Sequence, residues 1–287
     1  MTNKLILSFL LFLLAWQAHA QVQAFKIFDS TGKETSFESL AKKSGEVEII
    51  FFGELHNNSM AHWLQLQLLK HLQQQGKDLV LAAEFFERDD QLTIDEWMVG
   101  KMSDKTFETE AKLWTNYLTD YKPLLLFAKK NSIPFVGSNI PRKYASLVSR
   151  EGLESLAKLS EEAKFYIAPL PVTVDKSLPG YAGMRDMMHG SGMNLDFMIE
   201  AQAIKDATMA YSLEPFLSKG KTILHVNGSY HSNNYEGILW YVWQKNPKVK
   251  ILTINTIEQD DLNSIDENTM KTADFIIVTP LDIPKSY

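Results

Sequence analysis

With 287 residues and no cysteine, the chain can build no disulfide framework, thiolate metal site or cysteine nucleophile, and any metal must be held by nitrogen and oxygen. A net charge of -6 without a basic run argues against a nucleic-acid binder. At 45% hydrophobic content the chain can bury a substantial core, and one domain over residues 21–287 is expected behind an amino-terminal leader.

The leader is residues 1–20. Lys4 precedes an apolar stretch over residues 5–16, and Ala18-His19-Ala20 follows as a small-x-small site, the order of a secretory signal peptide. The stretch is short for a span of ~20 residues. The expectation is therefore export, cleavage after Ala20, and a soluble periplasmic or extracellular mature protein.

Beyond the leader, residues 24–28 and the turn around Thr31-Gly32 read as a peripheral strand and hairpin. A first core strand is predicted at 47–52. A helix follows over 59–75, with Leu64, Leu68 and Leu72 on one face and Gly76 as its cap. The pattern continues with a strand at 79–83, helices at 90–100 and 123–131 around Trp114 and Tyr117, and a strand at 134–137. Pro141 opens a helix towards Arg150, and residues 151–166 are helical. Helices at 195–217 and 235–244 alternate with strands at 222–227, 249–254 and 275–278. The segment 168–194 differs: its three prolines, four glycines and four methionines surround Tyr181 and His189, a composition of long, functional loops. The fold class is α/β, with a mostly parallel central sheet of about six strands flanked by helices and a helical or loop excursion around 140–195.

Two apolar runs end in the same pattern, Gly53-Glu54-Leu55-His56 and Gly228-Ser229-Tyr230-His231. In an open parallel sheet the carboxyl ends of the strands face one crevice, so the two motifs are expected to converge there. Glu84 ends the second strand with Arg88 one turn later, and Ser138 and Asn139 end the third with Arg142 close by. Two histidines, two carboxylates and one or two arginines can hold a divalent metal through Glu54, His56 and His231, since two His and one Glu are a recurrent zinc set. The same groups can run general acid and base steps, with Glu84 oriented by Arg88. Structural roles compete: a Glu–Arg pair at a strand end is often a plain ion pair. His225 is read as core packing and His71 as solvated.

The strings Phe52-Gly53-Glu54-Leu55-His56 with His62 beyond, Glu84 through Gln91, Asn139-Ile140-Pro141-Arg142, Ala201 through Ala210, and Gly228-Ser229-Tyr230-His231 occur in the order typical of the ChaN family. From about residue 25 to 256 the chain resembles a ChaN-type haem-binding uptake protein of the Tiki superfamily. The resemblance implies an α/β fold, bacterial export and a role in haem or iron acquisition. It also implies kinship with erythromycin esterases and Tiki peptidases, and makes Glu54, His56, Glu84, Arg88 and His231 the candidates for the superfamily's site. Expected partners are haem or another small molecule, outer-membrane uptake proteins, and a second copy of the chain. Three departures stand out: no lipid-acceptor cysteine, Asn57 where an acid is expected, and Lys205 where arginine is usual. Lys205 keeps the charge but loses the bidentate fork.

Two functions follow. As a haem carrier, the chain would meet iron with Tyr or His and the propionates with Arg or Lys; Tyr181, His189 and Tyr230 are the ligand candidates and Arg142 the cation. As a metal-dependent hydrolase, peptidase or esterase, it would use Glu54, His56, Glu84 and His231. The resemblance favours the first and the residues alone the second. An interaction role with a degenerate site is a third reading.

Overall fold

The computed structural model describes residues 23–187 and 194–287, so the leader and His189 lie outside the described residues. Strands β1 (Lys26–Asp29) and β2 (Glu34–Thr35) form an amino-terminal hairpin, followed by helix α1 (Phe37–Ser44). The first core unit is β3 (Ile49–Glu54), α2 (Ser59–Gln74) and β4 (Leu79–Glu87). Helices α3 (Gln91–Met98), α4 (Asp104–Glu110) and α5 (Lys122–Lys130) lead to β5 (Phe135–Asn139), with a π-helical turn at Tyr117–Tyr121 ahead of α5. The excursion holds α6 (Arg142–Glu151), α7 (Glu161–Lys164) and α8 (Pro179–Met187), and the long α9 (Leu195–Leu217) returns the chain to the sheet. The chain closes with β6 (Thr222–Gly228), α10 (Ile238–Lys245), β7 (Ile251–Glu258), α11 (Glu267–Met270) and β8 (Phe275–Thr279).

All eight strands form one sheet in the order β2-β1-β8-β7-β3-β6-β4-β5. The six strands from β3 to β8 run parallel, and the β1–β2 hairpin adds antiparallel to β8. The parallel set matches the expected core strands, and the hairpin is the expected peripheral piece. Two pairings decide the site: β6 lies between β3 and β4, in register from Ile49↔Ile223 to Glu54↔Gly228 on one side and Leu79↔Thr222 to Ala83↔Val226 on the other.

Parallel strands covered by helices on both faces read as continuous apolar runs, and the period of two then sorts them. Ile50, Phe52, Leu81, Ala83, Leu224 and Val226 pack into the larger core beneath α2 and α5. Ile49, Phe51, Val80, Ala82 and Ile223 pack into the other, against α9 and α10. The strand β4 runs past the predicted end at residue 83, with a register shift against β5 between Ala83 and Glu87. Glu84, Phe85 and Phe86 are buried within it.

The described part of the excursion is packed rather than open. Ile140, Val148, Leu156 and Ile167 form a core with Ala201 and Ile204 of α9. Tyr181 of α8 packs on Ile199 and Ala203.

Candidate active and ligand-binding cleft

At the carboxyl ends of β3, β4, β6 and β7 a cleft of about 930 Å³ is lined by Glu54, His56, Glu84, Lys205, Tyr230 and His231, among others. The alternation places its two buried glutamates on opposite faces. Glu54 continues the Ile50–Phe52 side, which packs on α2; Glu84 continues the Val80–Ala82 side, which packs on α9. Each becomes the centre of a hydrogen-bonded network.

On the α2 face, Glu54 accepts from Tyr121 Oη at 2.6 Å, Gln65 Nε2 at 2.5 Å and His56 Nδ1 at 3.0 Å. His62 Nδ1 lies 3.3 Å from its second oxygen, and His62 Nε2 donates to the His56 carbonyl at 3.0 Å. Burial alone would push Glu54 up, yet the His62 charge and the His56 hydrogen bond hold it far below the usual carboxylate range. Burial likewise works against charge on His62, but Glu54 and Asp120 raise it to about 9. His56, by contrast, keeps 36% of its side chain exposed. Its ring stands edge-on against Trp114, with centroids 4.9 Å apart.

On the α9 face, His231 is clamped between two acids, with Nε2 3.2 Å from Glu84 Oε1 and Nδ1 2.5 Å from Asp206 Oδ1. Burial disfavours its charge, but the two carboxylates raise its pKa to about 10. The reciprocal effect brings Glu84 down to about 2 against its own burial, helped by the Gly228 N–H, which donates to Oε2 at 2.7 Å. Asp206, wholly buried, is raised by desolvation despite His231, and accepts from Tyr181 Oη at 2.7 Å.

Two glycines let the networks meet. A Cβ on Gly53 would sit 2.9 Å from the Ile254 carbonyl and 3.0 Å from Ser229 Cα, so only glycine allows the two strand-end turns to touch. A Cβ on Gly228 would meet His56 Cε1 at 2.8 Å and Nε2 at 2.9 Å, with Glu84 Oε2 at 3.5 Å. The His56 ring thus lies over Gly228, and Glu84 stands beside it.

Glu54, His56, Glu84 and His231 are therefore brought to one cleft, while other expected residues are not. Arg88 does not orient Glu84; it reaches the opposite way, donating to Ser212 Oγ at 2.8 Å and the Phe165 carbonyl at 3.2 Å. Arg142 is exposed and not among the cleft's lining residues. It follows β5, the outermost strand, and so emerges at the sheet margin rather than above Gly228. Tyr181 is 3% exposed and spends its hydroxyl on Asp206; it braces the site from behind instead of facing a ligand. Tyr230 does line the cleft, 41% exposed, and donates to the Gly180 carbonyl at 2.8 Å.

The metal set of Glu54, His56 and His231 is not assembled. Among the described residues no group of three or more His, Asp or Glu side chains has the geometry to hold a metal ion. The donors satisfy one another instead: both nitrogens of His231 face acids, and both oxygens of Glu54 accept hydrogen bonds. Residues to which sequence reasoning gave no role complete the site, namely Gln65, Asp120, Tyr121, Gln202 and Asp206. Their signal was present as polar positions at helical spacing in apolar helices, Gln202 and Asp206 four apart on α9 and His62 and Gln65 three apart on α2.

A sequence profile of the haem-binding uptake family, ChaN of the Tiki superfamily, matches residues 40–242. Among solved structures, the ChaN of Campylobacter jejuni with cofacial haem binding superposes with a TM-score of 0.65 at 19% identity, over 89% of this chain and 96% of that one. The erythromycin esterase EreC in an open conformation reaches 0.51 at 8% identity, over 89% and 97%. A Bacillus cereus protein gives 0.51 at 11%, over 90% and 95%. At these identities the likeness is one of fold. No curated protein sequence matches the chain.

Proposed function

This chain belongs to the ChaN family of haem-binding uptake proteins in the Tiki superfamily, and from that premise we propose that it is an exported haem-binding protein of a bacterial iron-acquisition system that takes haem at the mouth of the cleft. The observation carrying this reading is the composition of that mouth. Tyr230, Leu281 and Tyr287 are 41%, 50% and 64% exposed and line the same cleft as half-exposed His56 and Lys205. Large apolar groups gathered at an exposed polar cleft mark a ligand surface. Tyr230 is the ligand candidate that lines the cleft and would meet iron, with the His56 imidazole lining the same cleft. Lys205, which lines the cleft where Arg142 does not, is the cation that would meet a propionate. Bound haem would supply the iron; Tyr230, Lys205 and the apolar rim of the cleft would hold it. Export rests on the order of charges and apolar residues in the leader, and among the described residues no helix is long and apolar enough to cross a membrane.

The test is a haem titration followed by absorption spectroscopy. Tyr230→Phe is expected to change the spectrum of the complex and Lys205→Ala to weaken affinity, whereas Tyr181→Phe leaves the spectrum unaltered. Absence of haem binding by the wild-type protein, or a spectrum sensitive to Tyr181 and indifferent to Tyr230, overturns the assignment.

One arrangement favours a second reading, acid–base hydrolysis of a small ester or peptide without a metal. His56 donates Nδ1–H to buried Glu54 and turns its other edge to the cleft, next to Glu84. A histidine oriented by a carboxylate is the arrangement of a general base. Loss of ester hydrolysis in His56→Ala supports it; equal rates for wild type and variant dismiss it.

A further inference from the structure

Arg88, turned away from the cleft, faces a second cavity. This cavity, about 690 Å³, opens beside β5 between α3 and the carboxyl-terminal part of α9, and shares no lining residue with the cleft. The guanidinium is fixed by its bonds to Ser212 Oγ and the Phe165 carbonyl and by the Tyr211 ring, 5.3 Å from its centroid. Every one of these partners is neutral, and the buried Nε has no acceptor. Of the neighbouring acids, Glu87 and Asp89 hold Lys112 at 3.0 and 2.7 Å, while Asp90 has an unpartnered buried oxygen and is raised to about 6 chiefly by burial. Asp95, the acid of the cavity wall, accepts from Gln91 Nε2 at 2.8 Å. Among the described residues no carboxylate pairs with Arg88, and burial pulls its pKa below the ordinary value.

A largely buried cation whose described partners are all neutral keeps a desolvation cost that these contacts offset only in part. Its planar fork is suited to bidentate carboxylate. The surrounding wall is apolar, with Met98 and Phe216 beside Val99 and Phe165, which are 71% and 72% exposed. We propose that this cavity is a binding site for a small amphipathic carboxylate, its charged end taken by the Arg88 guanidinium and its apolar body laid along Met98, Val99 and Phe216.

Octanoate is the probe, titrated calorimetrically into the mature chain, with octanol and inorganic phosphate as controls. Expected are saturable one-to-one binding of octanoate, unaffected by haem, and affinities for octanol and for phosphate that are weaker by roughly tenfold or more. Arg88→Met should weaken octanoate to the same degree. Should that variant fail to fold, Val99→Asp decides: its position is exposed, so the fold tolerates it, and the added charge on the apolar wall should repel the ligand. No octanoate binding, equal affinity for octanol or for phosphate, displacement by haem, or unchanged affinity in either variant overturns the proposal.

Discussion

Replacing His231 by alanine removes the cation clamped between buried Glu84 and Asp206. Its ring contacts Glu84 at 3.2 Å and Asp206 at 2.5 Å, and all three side chains are at most 9% exposed. Breaking a buried ion pair by deleting one partner costs about 3–5 kcal/mol. The lower end is expected here, because Glu84 keeps the Gly228 N–H and Asp206 keeps the Tyr181 hydroxyl. A loss of about 3 kcal/mol lowers Tm by roughly 6–12 °C for a domain of this size. The loss also has a definite pH course. His231 is raised from 6.5 to about 10 in the fold, so its contribution is complete below pH 6.5 and fades as pH rises through 10. His62, raised to about 9, fades over the same side. Glu84, lowered from 4.5 to about 2, contributes above pH 4.5 and fades as pH falls towards 2. Urea unfolding followed by tryptophan fluorescence from pH 5 to pH 10 should therefore show the widest gap between wild type and His231→Ala between pH 5 and 6.5, narrowing as pH rises towards 10. Combining it with Glu84→Gln should cost less than the two single changes summed, by about 1 kcal/mol or more, since fewer charges are stranded. A gap below about 1 kcal/mol at pH 7, or one that stays constant up to pH 10, would refute the clamp.

The two site glycines should separate stability from binding. Gly53→Ala presses a methyl group on backbone atoms and is expected to cost about 1–3 kcal/mol. Gly228→Ala presses only on the exposed end of His56, so haem affinity should fall while the urea midpoint barely moves; the reverse order would refute the reading of both contacts. Gln91 caps the edge strand, donating to the Phe135 carbonyl at 2.9 Å and accepting from Gly137 N–H at 2.8 Å. Gln91→Ala should thus cost about 1–3 kcal/mol and promote self-association through the bared edge, read by size-exclusion chromatography as a concentration-dependent shift. Finally, intact mass of the secreted protein should begin at Gln21; a species retaining Met1 would give the amino-terminal segment another role.

What could be read without coordinates was local. The parallel strands, the helices between them and the Gly-x-x-His turns at strand ends are carried by apolar periodicity and by glycine, which act over a few residues. They were enough to place Glu54, His56, Glu84 and His231 at carboxyl ends of the sheet. Which strand ends lie side by side was another matter. Strand order is fixed by pairings between distant segments, and β6 between β3 and β4 joins residues more than a hundred positions apart. That order puts His56 over Gly228, sends Arg142 to the margin, and brings Asp206 from the middle of a helix to His231. Side-chain direction was equally beyond local pattern: Arg88 lies four residues after Glu84, yet β4 runs on to Glu87 and the turn after it carries Arg88 towards Ser212 and away from the acid it was expected to orient. Tyr181 could have faced a ligand or the core until α8 packed against α9 and gave its hydroxyl to Asp206. Local spacing says which residues can reach a sheet's end, but only the packed structure decides which of them face each other, because that depends on non-local contacts and on the burial that tunes their charges.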